Sequence, residues 1–320
     1  MAQRFALWAA LCAGIASQPA AYAAVDAFPT KSVRIVVPTA PIGAKDAVAQ
    51  LLSRQFGEVW QAKVVIDHRP GPGGKIGAET VAKAAPDGYT VLLAGTSVST
   101  TPALYRNLRY DVTRDLVPVA GVAISPFLIV TQPALAARSV SELIAFANKL
   151  GRLGCPGPGS EEHLCGELLG QLAGIGITAR HYEGREATLE ALLRGDVPFA
   201  FSEVLRVAPH VKSGKARAIA ITSRARSPLL PAVPAVNETL PGYECTTWLG
   251  LFAPSKTPVH VRSRIAAAAA KVTRHGEMRE RLRAEGLFAY AGSAEDFARF
   301  FRVEVAKWSK VARDSGIALD

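Results

Sequence analysis

Backbone N–H groups near the start of the chain could bind an anion. The β-branched run at residues 33–37 is broken by Pro38, Pro41 and Gly43, and helical spacing begins at Val48. A helix that starts at the carboxyl end of a strand directs its unpaired N–H groups and the positive end of its dipole at the crevice above the sheet. Because neither G-x-G-x-x-G nor a Walker Lys-Ser/Thr pair is present, the expected anion is a carboxylate.

A second loop, rich in hydroxyl groups, follows the strand predicted over residues 90–94. It carries Thr96, Ser97 and Ser99. Open α/β sheets bind ligands outside the carboxyl ends of their strands, so this loop and the first one should lie side by side. The same hydroxyls could instead cap a helix, and the sequence leaves both roles open.

A third helix start follows the Gly/Pro loop that ends at Gly159. Ser160 is the expected N-cap. His163 falls in the first turn, where the helix dipole disfavours the imidazolium, so a neutral donor is expected if it contacts ligand. A packed or surface histidine is the alternative, because a single histidine usually has one of those roles.

The cysteines suggest a disulfide in an exported protein. Cys155 and Cys165 are the close pair in sequence, whereas Cys245 lies far along the chain. We predict a possible Cys155–Cys165 bridge, although sequence alone cannot fix the geometry. The spacings do not match a zinc site, and we expect neither a metal nor a cofactor.

Strands and helices are predicted to alternate throughout, which indicates an α/β fold. The order of the predicted elements indicates two α/β lobes, with the chain crossing from one to the other near residues 120–126 and back near residues 223–247. We therefore predict one lobe from residues 24–122 and 247–320, a second lobe from residues 123–246, and a ligand cleft between them.

Residues 1–23 have the pattern of a secretory signal. Arg4 precedes an apolar run, and Ala21-Tyr22-Ala23 matches an A-x-A cleavage site. A membrane anchor would need about 20 apolar residues, and Cys12 lies too early in the run for a lipid anchor. Export to the periplasm is the expected localisation.

Composition narrows the function classes. The net charge is +10, but the basic residues are scattered and no aromatic-interleaved basic stripe occurs, so nucleic acid is not an expected partner. The charge could instead help attract small anions. G-x-S-x-G and H-E-x-x-H are both absent, so hydrolase and metalloenzyme functions lack their motifs.

Several blocks of sequence, in fixed order, resemble the substrate-binding proteins of tripartite tricarboxylate transporters, the Bug-type receptors. These blocks are VRIVVPTAP, HRPGPGGKIGAETVAKAAPDGYT, TPALY, YDVTRDLVPVA, GSEEHL, RSPLLPAVPAV, LPGY and WLGLFAPSKTP. The resemblance implies a two-lobed periplasmic-binding-protein fold, the Venus flytrap, and a small carboxylate held in the cleft. The positions that it implies as ligand contacts are Pro41, Gly43, Asp46, Thr96, Ser97, Gly159, Ser160 and His163.

The chain departs from the family pattern in loops that should touch ligand. Ile42 and Lys45 replace residues of a Gly-Gly-Ser/Thr pattern, and Ser202-Glu203 replaces an Asp-Asn pair. We include Ile42, Lys45 and Ser202 among the candidate ligand residues. Lys45 could form a salt bridge with the ligand, or it could point into solvent, as loop lysines usually do.

The function that these features predict is ligand capture without chemistry. A small organic acid would bind in the cleft, the lobes would close, and the membrane subunits of a tripartite permease would receive it from a monomeric receptor. One alternative is a binding protein that signals to a membrane sensor kinase. Another is a secreted enzyme, for which the catalytic motifs are missing.

Overall fold

The computed structural model describes residues 28–150, 152–227 and 230–319, and strands and helices alternate along them. The predicted signal peptide, residues 1–23, lies outside the described residues. The strands are β1 (Val33–Val37), β2 (Val64–His68), β3 (Thr90–Gly95), β4 (Leu116–Thr131), β5 (Arg152–Cys155), β6 (Thr178–His181), β7 (Phe199–Glu203), β8 (Arg217–Ile221), β9 (Thr246–Pro254) and β10 (Phe288–Ala289). The helices are α1 (Gly43–Trp60), α2 (Lys75–Ala82), α3 (Ser97–Leu104), α4 (Val140–Leu150), α5 (Glu161–Ala173), α6 (Gly184–Arg194), α7 (Val204–Lys212), α8 (Val259–Arg274), α9 (Gly276–Ala284) and α10 (Ala294–Asp314).

One long strand, β4, joins the two halves of the sheet. The strand order is β2-β1-β3-β9-β4-β7-β5-β6, with β8 and β10 also paired to β4. The sequence predicts two strands here, over 116–122 and 127–131, whereas the structure has a single strand of 16 residues. Its register against β9 shifts after Pro118 and again after Gly121, and these irregularities keep the pairing continuous through a proline-containing stretch.

The core lies on both faces of this sheet. In the first half, β1, β3 and β9 are almost entirely buried between helices, as expected for central strands of an α/β fold. Helix α10 packs against α3 and also against α5, so it contacts elements that we assigned to both lobes. The lobe boundaries therefore stay a prediction, whereas the α/β fold is confirmed. No helix in the described part of the chain is long and apolar enough to cross a bilayer.

Two local predictions were wrong. The hydroxyl-rich stretch at residues 97–104 is helix α3 and not a loop, because its hydroxyls bond within the turn: Ser99 Oγ donates to Thr96 O at 2.7 Å. The sequence predicts that Ser202-Glu203 opens a helix that Gly214 ends, but these two residues end strand β7, where both pair with β4. The next helix starts one residue later, at Val204.

The predicted Cys155–Cys165 bridge was also wrong. Cys165 is bonded to Cys245, with 5.7 Å between their Cα atoms, and Cys155 is free and buried. The reason is the direction of each side chain. Cys155 ends β5 and faces the neighbouring strand β6, where its Sγ lies 3.1 Å from Nδ1 of His181. Cys165 lies on α5 beside the segment that precedes β9, and the hydroxyl of Tyr243 donates to its carbonyl.

Candidate functional site

The carboxyl ends of β1 and β3 lie side by side at one edge of the sheet, as the sequence predicts, and a helix begins after each. Strands β1 and β3 are parallel neighbours. Residues 38–42 connect β1 to α1, and Thr96 alone connects β3 to α3. Gly43 begins α1 with φ +79°, a left-handed conformation that favours glycine, and no side chain caps this helix. Its first N–H groups are therefore available to an anion. We call these two helix starts, together with Lys45, the first wall.

The side chain of Lys45 points toward the end of β3. It is half-buried, and its Nζ lies over the end of β3, 3.5 Å from the position that a Cβ on Gly95 would occupy. Burial lowers the pKa of Lys45, and the neighbouring Glu161 carboxylate opposes this shift. The side chain thus does not have the solvent-facing position that the sequence left open. It supplies a positive charge beside the two helix starts.

A second wall faces α3 of the first wall across a cleft of about 590 Å³. It is formed by the loop 156–160, the first turn of α5, the start of α6 and Arg206. Lys45 does not line this cleft, but it interacts electrostatically with Glu161 and Arg185 of the second wall. Ser160 caps α5 by accepting a hydrogen bond from the N–H of His163 at 3.2 Å. Ser97 of the first wall and Gly159 and Ser160 of the second line the same cleft.

Charged side chains crowd the second wall. Arg185 contacts three carboxylates: Glu162 through a hydrogen bond from its Nε, Glu203 at 3.4 Å, and Glu161 at 3.6 Å. Burial alone would lower the pKa of Arg185, but these carboxylates together raise it. Burial raises the pKa of Glu161, and the charges of Arg185 and Lys45 offset this shift only in part. Glu161 therefore interacts electrostatically with a charged residue of each wall, Lys45 of the first and Arg185 of the second.

The structure gives several predicted ligand residues a structural role instead. Asp46 is buried, its carboxylate lying 3.1 Å from Nε2 of His68 and accepting a hydrogen bond from Gln50 at 2.8 Å. Thr96 is also buried, and its hydroxyl accepts a hydrogen bond from the N–H of Trp248 at 3.1 Å. These contacts hold the first wall in place. Neither residue lines the cleft, and a contact of either with a ligand stays a prediction.

His163 braces the loop of the second wall. Its Nδ1 accepts a hydrogen bond from the N–H of Gly159 at 3.1 Å, and its Nε2 lies 3.5 Å from the Glu167 carboxylate. Since both ring nitrogens face protein atoms, the packed histidine is the arrangement found. The remaining predicted positions differ in exposure: Pro41 and Ile42 are exposed, and Ser202 is buried behind the second wall, in a small cavity that Glu162 and Arg185 also line.

Sequence reasoning missed the charged residues of the second wall, Glu161, Arg185 and Arg206. Acidic residues in the first turn of a helix are common for helix stability alone, so Glu161 carried no separate signal. The arginines lie in α6 and α7, and only the fold brings them to the cleft. Within the described residues, no group of three or more His, Cys, Asp or Glu side chains could hold a metal ion.

Comparison with known proteins identifies one family, to which most of the chain can be matched. Residues 47–317 match the family described as "Tripartite tricarboxylate transporter family receptor". A curated relative, the UPF0065 protein in the tcbD-tcbE intergenic region of Pseudomonas sp. strain P51, is 34% identical over 292 residues, which cover 90% of this chain and 87% of the relative.

Two solved structures with bound acids resemble this chain over most of its length. R. palustris Rpa4515 with adipate is 32% identical, with a TM-score of 0.72, and the match covers 91% of this chain and all of that one. MatC from Rhodopseudomonas palustris with bound malate is 28% identical, with a TM-score of 0.69 and coverage of 89% and 99%. Both ligands are dicarboxylates.

Proposed function

Because the chain belongs to the tripartite tricarboxylate transporter receptor family, we propose that it captures a small organic acid between its two walls and delivers it to a tripartite membrane permease. The observation that carries this proposal is the first wall. Two helix starts meet at one sheet edge, and Lys45 adds a full positive charge beside them. Backbone N–H groups and an ammonium group together suit a carboxylate.

The proposal requires no bond to be made or broken. The carboxylate binds at the starts of α1 and α3, the rest of the solute extends toward Ser97 and Ser160, and the second wall closes over it. Closure follows from the higher affinity of the closed form for the solute. The net charge of +10 assists encounter with anions more than it decides selectivity.

We propose the periplasm as the site of action, with residues 1–23 removed on export and the mature receptor monomeric. The A-x-A pattern at residues 21–23 supports cleavage there. The disulfide between Cys165 and Cys245 supports an oxidising compartment.

A thermal-shift screen of the mature chain against mono-, di- and tricarboxylates, amino acids and aromatic acids tests the proposal. An acid present at 100 times its dissociation constant adds about 2.7 kcal/mol of stability, which corresponds to a rise of about 4 °C in melting temperature for a chain of this length. We expect the melting temperature to rise selectively with one class of acid, and the acid to be recovered unchanged. A flat panel, or turnover of the acid, would overturn it.

Lys45→Ala locates the acid in that screen. The matched control is Lys63→Ala, because Lys63 is exposed and lies at the opposite end of α1, just before β2. The Lys45 variant should lose most of the stabilisation, and the loss should be larger for di- and tricarboxylates than for a monocarboxylate. The control should keep the full shift. Equal losses in both variants would remove Lys45 from the site.

A further inference from the structure

The charges that line the cleft do not suit a ligand that carries only carboxylates. The charged lining residues are Glu161, Glu162, Glu186, Arg185 and Arg206, so three carboxylates oppose two guanidinium groups and the net charge is −1. Adding Lys45 of the first wall and Glu203, which pairs with both arginines, leaves this balance unchanged. A second carboxylate on the ligand would approach a wall that is already negative.

Neither arginine of the second wall is free to clasp a ligand carboxylate. Arg185 is shared among Glu161, Glu162 and Glu203. Arg206 is paired with Glu203 at 3.1 Å and also with Glu186. A dicarboxylate would have to break these pairs and leave protein carboxylates unpaired, which is costly in a partly buried site.

The second wall also presents acceptors that lack donors. The Glu162 side chain is 2% exposed, yet its Oε2 has no hydrogen-bond partner among the described residues. The hydroxyl of Ser202, a residue 7% exposed, lacks a partner as well and lines the small cavity shared with Glu162. Oε2 of Glu161 also lacks a hydrogen bond, although Nη2 of Arg185 lies 3.6 Å from it. Unpaired buried acceptors are costly, and an ammonium group offers three donors and a positive charge.

We propose that the ligand is an amino-containing carboxylic acid, whose carboxylate binds the first wall and whose ammonium group binds the second wall at Glu161. This inference rests on the proposed function, since it assigns the two ends of the same solute. A ligand with an ammonium group would distinguish this chain from the similar proteins whose structures contain adipate or malate. The ammonium offsets one negative charge of the second wall and supplies hydrogen-bond donors there, whereas a second carboxylate would add to that negative charge.

Isothermal titration calorimetry with length-matched pairs tests the inference. The pairs are adipate with 6-aminohexanoate, glutarate with 5-aminopentanoate, and succinate with 4-aminobutanoate. The acid selected in the thermal-shift screen is added with its amino analogue, and 1,6-diaminohexane serves as the dication. We expect the amino acid to bind at least about tenfold more tightly than its dicarboxylate in the best pair.

Glu161→Gln removes the charge at nearly constant shape and should reduce this preference to less than about threefold. Glu186→Gln, at a side chain that is 74% exposed, provides a second cleft variant in which the fold is not at risk, and it should weaken the preference in the same direction. Glu280→Gln is the matched control, because Glu280 is exposed on α9, away from the cleft, and it should leave the preference unchanged.

The outcomes separate the two proposals. Tighter binding of the dicarboxylate in every pair, or a preference untouched by both cleft variants, would overturn the inference and leave the receptor function standing. Tighter binding of the diamine than of the amino acids would overturn the placement of a carboxylate on the first wall. Failure of every acid to bind would overturn the receptor function itself.

Discussion

Loss of the disulfide between Cys165 and Cys245 should destabilise the protein strongly, and the size of the loss follows from its loop. The two cysteines are 80 positions apart. In the chain-entropy model, a crosslink closing a loop of this length restricts the unfolded chain by about 4.5 kcal/mol at 25 °C, within the usual range of 2–5 kcal/mol for native disulfides. A bridge between Cys155 and Cys165, with a loop of about ten residues, would give roughly 2.7 kcal/mol.

The assay is thermal unfolding of the wild type, Cys245→Ala and Cys155→Ala, each with and without a reducing agent. Reduction should lower the melting temperature of the wild type by on the order of 10 °C. Cys155→Ala should respond to reduction as the wild type does, because Cys155 is free. Cys245→Ala should already be destabilised and should not respond. Loss of the response in Cys155→Ala, or a wild type indifferent to reduction, would refute the pairing.

Three further predictions concern stability. Replacing Glu304, whose side chain is 2% exposed, with Ala should cost about 3–5 kcal/mol in urea unfolding, because Lys307 and an indole N–H would lose their buried partner; a loss below about 1 kcal/mol would contradict this. Gly250→Ala should cost about 1–3 kcal/mol, since the new Cβ would lie 2.1 Å from the ring of Phe297, and an unchanged urea midpoint would show that the ring can move. Burial raises the pKa of Glu161 above its usual 4.5, so the stability from its protonated form is present below pH 4.5 and is lost as pH rises through the folded-state pKa. Glu161→Gln should therefore melt progressively higher than the wild type as pH rises from 4 to 7, and parallel melting curves would contradict the shift.

Much of the fold could be predicted from the sequence because its signals are local. β-Branched runs, Gly/Pro turns and helical spacing located β1, α1, β3 and most later elements. The prediction failed where two local signals conflict. Separate strands were predicted over 116–122 and 127–131, yet tertiary pairing with β9 carries a single strand through both Pro118 and Pro126. The hydroxyl-rich stretch after β3 resembled a loop, because Ser and Thr bond equally well within loops and helix turns.

In the candidate site, too, some features could be predicted from the sequence and others could not. Features made by the backbone, such as the start of α1 and the position of the chain after β3 beside it, follow from the order of strands and helices and were predictable. The directions of the side chains could not be predicted from the sequence. Asp46 on α1 faces His68 on β2, and Cys165 pairs with Cys245 rather than with Cys155, which is closer in sequence. Such contacts depend on topology, which a local pattern does not specify.

Hydrogen–deuterium exchange would show directly whether both walls hold the acid, because it reports which backbone amides a bound solute protects. The mature receptor would be measured alone and with the acid that gives the largest thermal shift. The account predicts new protection on both walls, at residues 42–48 and 96–100 of the first and residues 157–162 and 184–188 of the second, and loss of that protection in Lys45→Ala. Protection confined to one wall, or centred on α8 and α9 away from the cleft, would contradict it.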